Sequence, residues 1–384
     1  MGKSFIWLAV CLALTGGISG AEQARISRIE INGAERTRHE VIRAGIGVSE
    51  GEIVRDREGL IRRCVAALHR MRVFGKVEVR VVEKGDGLDL VLDVQEKWTL
   101  LPIPFVAVYQ KKLTLGAGVL ESNFLGTLNS LGGFFFLQDG TPGFFGFSQW
   151  ALNSSRSWIL SFSPQWMGRD VEVWDGERKS GEYKERIGAF SMGLVHRFEG
   201  GWEFGGRVDA QWFQLGDGPY EGRYDGAPFG MTIGWNGQRV VEDRMQGFEW
   251  KVGALWDSGL FGSALRRRVG TVQWSLALPA GESGFVMLEQ SGAVSDGLVP
   301  GLAYRLGGKG SQAVRQVRGY HEDQFRTTAW MVTSVEWRLQ VWTTQALLGS
   351  VFPFVDHGLF RDDGRARQIL SVGLGFRVYL RKVL

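Results

Sequence analysis

Alternation between apolar and polar side chains is the feature that most limits what the C-terminal three quarters of this sequence can fold into. In the segments near 202–214, 246–257, 266–279 and 368–380, largely apolar or aromatic residues recur at every second position, and the residues between them are small, polar or charged. Successive side chains of a β-strand point to opposite faces, so each segment predicts a strand with one apolar and one polar face. Such strands cross a membrane when the apolar face contacts lipid and the backbone is paired within a closed barrel.

A soluble β-sandwich alternates in the same way, but its apolar face is sealed inside a core. Residues 98–384 contain 43 of the 46 aromatic residues of the chain, which favours a lipid-facing wall with aromatic girdles at the two interfaces. We therefore predict a mainly β chain that contains an antiparallel transmembrane β-barrel of about fourteen strands. The predicted strands lie near residues 101–109, 113–121, 128–138, 143–153, 156–167, 183–197, 202–214, 229–240, 246–257, 266–279, 284–294, 326–341, 346–356 and 368–380. The charged connectors 168–182 and 215–227 are predicted to be extracellular loops.

The first 21 residues are typical of a signal peptide. Lys3 precedes the apolar run Phe5–Leu14, and Ser19–Ala21 offers small residues for cleavage before Glu22. The apolar run is too short to span a bilayer as a helix. Cleavage would remove Cys11 and leave one cysteine, so the sequence predicts no internal disulfide and no cysteine-based zinc site.

Residues 22–97 differ from the rest in composition and form a predicted charged, soluble domain before a barrel of residues 98–384. In this segment 29 of 76 residues are charged, against 56 of 287 in residues 98–384. The pattern predicts the order strand, helix, helix, strand, strand. Thr37 and Glu40 have the spacing of a capping box at the first helix. The apolar stripe of the second helix contains Cys64, which predicts a packing role for this cysteine.

This order and the segment Arg72–Val77 resemble a POTRA domain, the α/β periplasmic repeat found before the barrels of outer-membrane insertases. The resemblance implies that an exposed strand edge, here the strand with Val77, Val79 and Val81, pairs with extended polypeptide by β-augmentation. A structural spacer is the alternative, and the sequence leaves both open.

Several segments in the second half resemble the BamA/TamA superfamily, which includes surface antigen-like bacterial proteins of the outer membrane. The similar segments occur in the family's order, namely Glu121–Gly126, Leu306–Gly308, Val317–Tyr320, Ser334–Arg338, Phe352–Gly358 and Ser371–Arg377. In this family an Arg-Gly-aromatic loop tip folds back into the barrel lumen. The resemblance therefore implies that Arg318, Gly319 and Tyr320 form this tip, and that Arg318 pairs with Glu336 and Asp356. Strand parity independently points Glu336 into the lumen, and Asp356 has the parity of Phe352 and Phe354, which the resemblance places inside.

The resemblance implies sixteen strands, and this chain therefore either ends early or closes as a smaller barrel. It also implies a function in inserting β-barrel proteins into the outer membrane of a Gram-negative bacterium. The implied partners are unfolded outer-membrane or secreted polypeptides, outer-membrane lipid, and periplasmic chaperones or accessory lipoproteins. A two-partner secretion pore and a passive channel are the alternatives. The sequence offers no nucleophile elbow, Walker loop, histidine ligand pair or basic block, so we predict no enzyme, cofactor, metal or nucleic-acid partner.

Overall fold

In a computed structural model, the chain forms two compact units. The structure describes residues 24–85, 87–109, 112–138, 140–241, 244–259, 262–308, 317–321, 323–344 and 347–380. The predicted signal peptide and Cys11 lie outside the described residues. Unit 1 comprises the described part of Met1–Thr99 with Ser122–Leu128, and unit 2 comprises Leu100–Glu121 with Asn129–Leu384.

Unit 1 is a three-stranded sheet packed against two helices, in the predicted order. Its elements are β1 Arg25–Asn32, α1 His39–Ile46, α2 Arg57–Arg70, β2 Phe74–Lys84 and β3 Gly87–Glu96. Strand β3 lies in the centre, parallel to β1 and antiparallel to β2. The two helices bury their apolar stripes against the sheet, and Cys64 is buried in this core as predicted.

The predicted capping box at Thr37 is wrong. Helix α1 begins at His39, and Arg38 precedes it without a side-chain cap. The backbone N–H of Thr37 instead donates to Glu96 Oε1 at 2.6 Å, and its hydroxyl accepts a hydrogen bond from Asn123 Nδ2 at 2.8 Å. Both partners are distant in sequence, and the Thr37 hydroxyl binds Asn123, while Arg38 is the residue at the N-cap.

Glu96, at the end of β3, accepts hydrogen bonds from the backbone of the segment before α1. Its carboxylate also accepts the N–H of Arg36 at 2.8 Å. Partial burial acts to raise the pKa of Glu96, but the hydrogen bonds from Thr37 and the neighbouring backbone outweigh it and hold the pKa below its ordinary value. The folded unit therefore favours the ionised carboxylate.

We expect the stability of unit 1 to fall in acid through Glu96. A lowered folded-state pKa stabilises above the pH at which an unfolded glutamate titrates, and this contribution is lost as the pH falls through the lowered pKa. Glu96→Ala is expected to cost about 1–3 kcal/mol at neutral pH and to flatten this part of the pH profile. Hydrogen exchange of residues 25–96 in increasing urea measures both effects. Glu83→Ala is the control, since the exposed Arg57–Glu83 pair contributes at most about 1 kcal/mol. Equal losses in the two variants would contradict the assignment.

Unit 2 is built on one large antiparallel sheet. Its strands follow each other along the chain as β4 to β21, with bounds Leu100–Tyr109, Lys112–Phe124, Asn129–Gln138, Thr141–Ala151, Trp158–Asp175, Arg178–Arg197, Trp202–Gly216, Gly222–Gly226, Phe229–Asn236, Arg239–Val241, Arg244–Ser258, Arg266–Pro279, Gly284–Asp296, Tyr304–Leu306, Phe325–Thr327, Ala329–Thr343, Leu347–Asp362 and Arg365–Leu380. Fourteen of them form a continuous path from β4 to β21 in chain order, and each corresponds to one predicted strand. The short strands β11 and β13 pair beside this path, and β17 pairs with β18 in a separate two-stranded sheet.

The predicted loops 168–182 and 215–227 are wrong in large part. Strands β8 and β9 continue as one long hairpin that turns at 176–177, and β11 occupies residues 222–226. Within this hairpin Val171 lies opposite Tyr183, and both are buried. The prediction of loops rested on the charge of this region, but its charged residues lie along strands that continue the ladder.

The two faces of the large sheet differ as the alternation predicted. Outward-facing residues such as Trp256, Val272 and Trp337 are exposed, whereas the inward-facing Glu336 and Asp356 are buried. In the described residues no helix is long and apolar enough to cross a membrane.

The first and last strands of the path each pair on one side only. Within the described residues, no ladder joins β21 to β4. Leu374 on β21 is 73% exposed, well above the 40% of Val272 in the middle of the path, because β21 has β20 as its single neighbour. In the part of the chain that the structure describes, the sheet therefore has an open edge at each end.

Candidate functional site

The connector between β16 and β19 lies against the inward face of the large sheet. Its described parts are residues 297–308, 317–321 and 323–328, and the short strands β17 and β18 pair within it. Buried Leu306 and Val317 pack with Trp330 and Phe360 of the sheet. The connector therefore packs against the inward face of the sheet through apolar side chains.

Arg318 at the connector tip binds Asp356 of β20 in a bidentate arrangement. Its Nε donates to Asp356 Oδ2 at 2.7 Å and its Nη2 to Oδ1 at 2.6 Å, while its backbone N–H also donates to Oδ2 at 3.0 Å. Asp356 is 0% exposed. Ser334 of β19 donates to Asp356 Oδ1 at 2.7 Å and completes its surroundings. Two parallel charge-assisted bonds fix both the position and the plane of the guanidinium.

Glu336 of β19 links the same guanidinium to two arginines of the wall. It accepts from Arg318 Nη1 at 2.7 Å, from Arg338 Nε at 2.7 Å and from Arg377 Nη2 of β21 at 3.3 Å. Three guanidinium groups thus face two buried carboxylates. The Arg318 guanidinium also lies 3.5 Å from the ring centre of Phe354, which adds a cation–π contact on one face.

Gly319 and Tyr320 extend the tip to the last strand of the sheet. Gly319 has a φ of +91°, a conformation that side chains disfavour. The Tyr320 hydroxyl donates to the carbonyl oxygen of Leu370 at 3.1 Å and accepts from its N–H at 3.2 Å. Both backbone groups of one residue in an antiparallel strand point to the same side. Tyr320 thus satisfies one pair of backbone groups on β21 from outside the β20–β21 ladder.

A second anchorage, which the sequence did not indicate, holds the connector base against β8 and β9. Glu185 of β9 is 2% exposed and accepts from Arg169 Nε of β8 at 2.7 Å and from Arg305 Nη2 of β17 at 3.1 Å. The buried Tyr183 donates to the carbonyl of Gly301 at 3.1 Å and accepts from Arg326 Nη2 of β18 at 3.1 Å. We refer to Arg169, Tyr183, Glu185, Arg305 and Arg326 as the base anchorage.

Two further contacts attach the connector to the β8–β9 hairpin. His321 stacks on Trp174 of β8 with ring centres 4.2 Å apart. Gln324 donates to the carbonyl oxygen of Gly176 at 3.1 Å. The connector thus contacts the β8–β9 hairpin on one side and β19–β21 on the other, across the inward face of the sheet. Its polar contacts give it one defined position there.

The predicted pairing edge in unit 1 lies at β2. This strand pairs with β3 on one side and, in the part of unit 1 that the structure describes, has no partner on the other. Val77, Val79 and Val81 point toward the helices and pack in the core. Their side chains are therefore not available to a bound strand, and β2 offers the backbone groups of its edge.

Both units are similar to known proteins. Residues 24–97 match the POTRA family model, described as the surface antigen variable number repeat. This segment is a POTRA domain. Comparison with curated protein sequences finds no match to the chain.

Solved structures resemble the chain over nearly its whole length. BamA from Haemophilus ducreyi lacking POTRA domains 1–3 is 12% identical, with a TM-score of 0.61, over 93% of this chain and 85% of that chain. CdiB from Acinetobacter baumannii is 16% identical, with a TM-score of 0.62, over 94% of this chain and 68% of that chain. CdiB from Escherichia coli is 11% identical, with a TM-score of 0.66, over 94% and 70% of the two chains. The chain has the fold of BamA-like β-barrels, with one POTRA domain in the described residues.

Proposed function

We propose that this chain is an outer-membrane protein that inserts other β-barrel proteins into the membrane, with its POTRA domain in the periplasm. The edges of β4 and β21, each without a second partner strand among the described residues, support this proposal together with the BamA-like fold. A membrane-spanning strand must pair its backbone groups, and an unpaired edge in the bilayer offers partners to the strand of an incoming protein. The substrate class is unfolded outer-membrane polypeptide, and outer-membrane lipid surrounds the wall.

The composition of β4 agrees with a strand at an edge. Pro102 and Pro104 lie within it, and because proline has no backbone N–H, these two residues cannot donate a hydrogen bond to a neighbouring strand. A weak seam beside β4 opens at lower cost than a ladder between two central strands.

The edge of β2 supports a role for the POTRA domain in receiving substrate. It offers unpaired backbone groups over residues 74–84, which suffices for a short extended segment. Periplasmic chaperones or accessory lipoproteins would deliver or hold such a segment there.

Photocross-linking tests the role of the open edge. A photoreactive residue at Val372 on β21, which is 72% exposed, is expected to capture an unfolded barrel substrate during insertion into proteoliposomes. The control position is Val272, which also faces outward but lies on β15 between two paired neighbours. Equal capture at the two positions, or none at Val372 while insertion proceeds, would refute the proposal.

Tyr320→Phe is expected to make the edge of β21 more accessible. The variant keeps the ring but leaves the N–H and carbonyl of Leu370 without their hydroxyl partner. We expect faster hydrogen exchange at Leu370 and at least twofold more substrate captured at position 372. Tyr224→Phe on β11 is the control and is expected to change neither readout. An unchanged exchange rate at Leu370 would show that the hydroxyl does not protect this edge.

A two-partner secretion pore is the second candidate, favoured by the largely polar contacts of the connector. A passenger could exchange such contacts for water and displace the connector, which would clear the lumen. In the same proteoliposomes, export of an unfolded passenger without insertion of barrel substrates would favour this function.

A further inference from the structure

An apolar groove lies on the outward face of the sheet, across β14–β16 and β19–β21. Its volume is about 640 Å³. The register places Gly270 opposite both Ala254 and Val294, and Val294 opposite Ala329. Such small side chains between Val252 and Leu359 leave a depression in the wall. Because the outward face is the predicted lipid-facing one, the groove opens toward acyl chains.

A basic cavity continues the groove toward one end of the sheet. Its volume is about 1130 Å³, and it shares Gly270, Val294 and Arg361 with the groove. Arg266 and Arg268 of β15 line it as well. The guanidinium groups of these three arginines make no ion pair with the described residues. Of the two aspartates that line the cavity, the buried Asp257 points inward, whereas Asp296, opposite Arg268, lies on the outward face, so the cluster carries a net charge of about +2.

The position of the arginines fits the level of lipid headgroups. Trp256, an outward-facing aromatic residue, lies directly opposite Arg268. Arg268 and the exposed Leu278 lie ten positions apart on β15, a span of about 33 Å along the strand and about 25 Å across a bilayer at a tilt of about 40°. That height equals the apolar band of a membrane barrel, so Arg268 lies at its boundary.

The direction of the strands indicates in which leaflet the boundary at Arg268 lies. The chain enters the sheet at Leu100 after the POTRA domain, and each successive strand of the path reverses direction. The starts of β15 and β21 and the end of β20 therefore lie at the end of the sheet opposite to Leu100. With the POTRA domain in the periplasm, as proposed above, the arginines lie in the outer leaflet.

We propose that the groove and the three arginines bind a phosphorylated glycolipid of the outer leaflet, of the lipid A type. The acyl chains fill the groove beside Gly270, and the phosphates accept bidentate hydrogen bonds from Arg266, Arg268 and Arg361. A net charge of about +2 matches two phosphate groups better than the single phosphate of a glycerophospholipid. The site anchors this face of the wall in the outer leaflet, next to the open edge of β21.

Binding of diphosphoryl lipid A to the purified full chain in nanodiscs of neutral lipid tests the proposal. Native mass spectrometry counts the lipid A retained and gives an apparent affinity. We expect Arg268→Gln with Arg361→Gln to weaken retention at least tenfold, and the corresponding double lysine variant to lose less than threefold. Arg178→Gln with Arg223→Gln, both exposed in the wild type, is the matched control and is expected to change nothing.

Gly270→Leu tests the groove separately from the charges. A Cβ at this position meets only Val294 Cγ1, at 3.4 Å, so the backbone tolerates the larger side chain. We expect at least tenfold weaker retention, with heat-modifiable migration on gels still showing a folded barrel. Retention unchanged in either variant, or phosphatidylglycerol retained as strongly as lipid A, would overturn the proposal. Because no substrate protein is present, these outcomes are separate from failure of the insertase function.

Discussion

Replacing Arg318 by alanine is expected to release the connector tip from the inward face of the sheet and to abolish most of the insertion activity proposed above. The variant leaves Asp356, which is fully buried, and Glu336 without the guanidinium that binds both. Removing one partner of a buried ion pair costs about 3–5 kcal/mol, because the other charge stays desolvated. That cost lowers the ratio of bound to detached tip by a factor of about 10²–10⁴.

Limited trypsin proteolysis of residues 297–328 measures this release, since a detached tip is cleaved faster. Arg318→Lys is expected to lie between wild type and alanine, because lysine keeps the charge but not the bidentate geometry. Asp356→Asn combined with Arg318→Ala is expected to cost less than the sum of the single variants, as contact residues do in a double-mutant cycle. Wild-type protease resistance and activity in Arg318→Ala would contradict the role of this pair.

The alternation of side chains predicted the wall well, because a strand period of two is written directly in the sequence. All fourteen predicted strands correspond to strands of the sheet path. The same parity predicted the inward face for Glu336, and parity together with the family resemblance predicted it for Asp356; the structure places both against Arg318. For the tip, parity and family resemblance agree with the observed contacts, although its functional role stays a proposal.

Contacts between segments that are distant in sequence could not be predicted from the alternation pattern. Glu96 and Asn123 form hydrogen bonds with Thr37, which therefore does not cap the helix, and neither residue is near Thr37 in sequence. The base anchorage was missed for a similar reason. Arg169 lies in a segment whose charge indicated a loop, and Arg305, the other partner of Glu185, is more than a hundred residues away from this carboxylate in sequence. Inward parity of Glu185 within a predicted strand was the one available signal, and it names no partner.

Replacing Glu185 by alanine is expected to release the connector base while the tip stays bound. Arg169 and Arg305 both bind this buried carboxylate, and its removal leaves two guanidinium groups with low exposure facing each other. Asp323, at 3.8 Å from Arg305, compensates only in part. The expected cost is about 3–5 kcal/mol, as for other buried pairs that lose one partner. Hydrogen exchange is expected to rise in 301–306 and 323–327 and to stay low at Gly319 and Tyr320.

Glu182→Ala is the control, because Glu182 lies on the same strand but pairs with Lys179 at an exposed position. The combination of Glu185→Ala with Arg318→Ala then decides whether the two anchorages act independently. They share no side chain, so their costs are expected to add within about 0.5 kcal/mol. In that case the double variant releases the whole connector and opens the lumen, which raises single-channel conductance above that of either single variant. A cost well below the sum would mean that the connector detaches as one body, and that either anchorage alone controls the lumen.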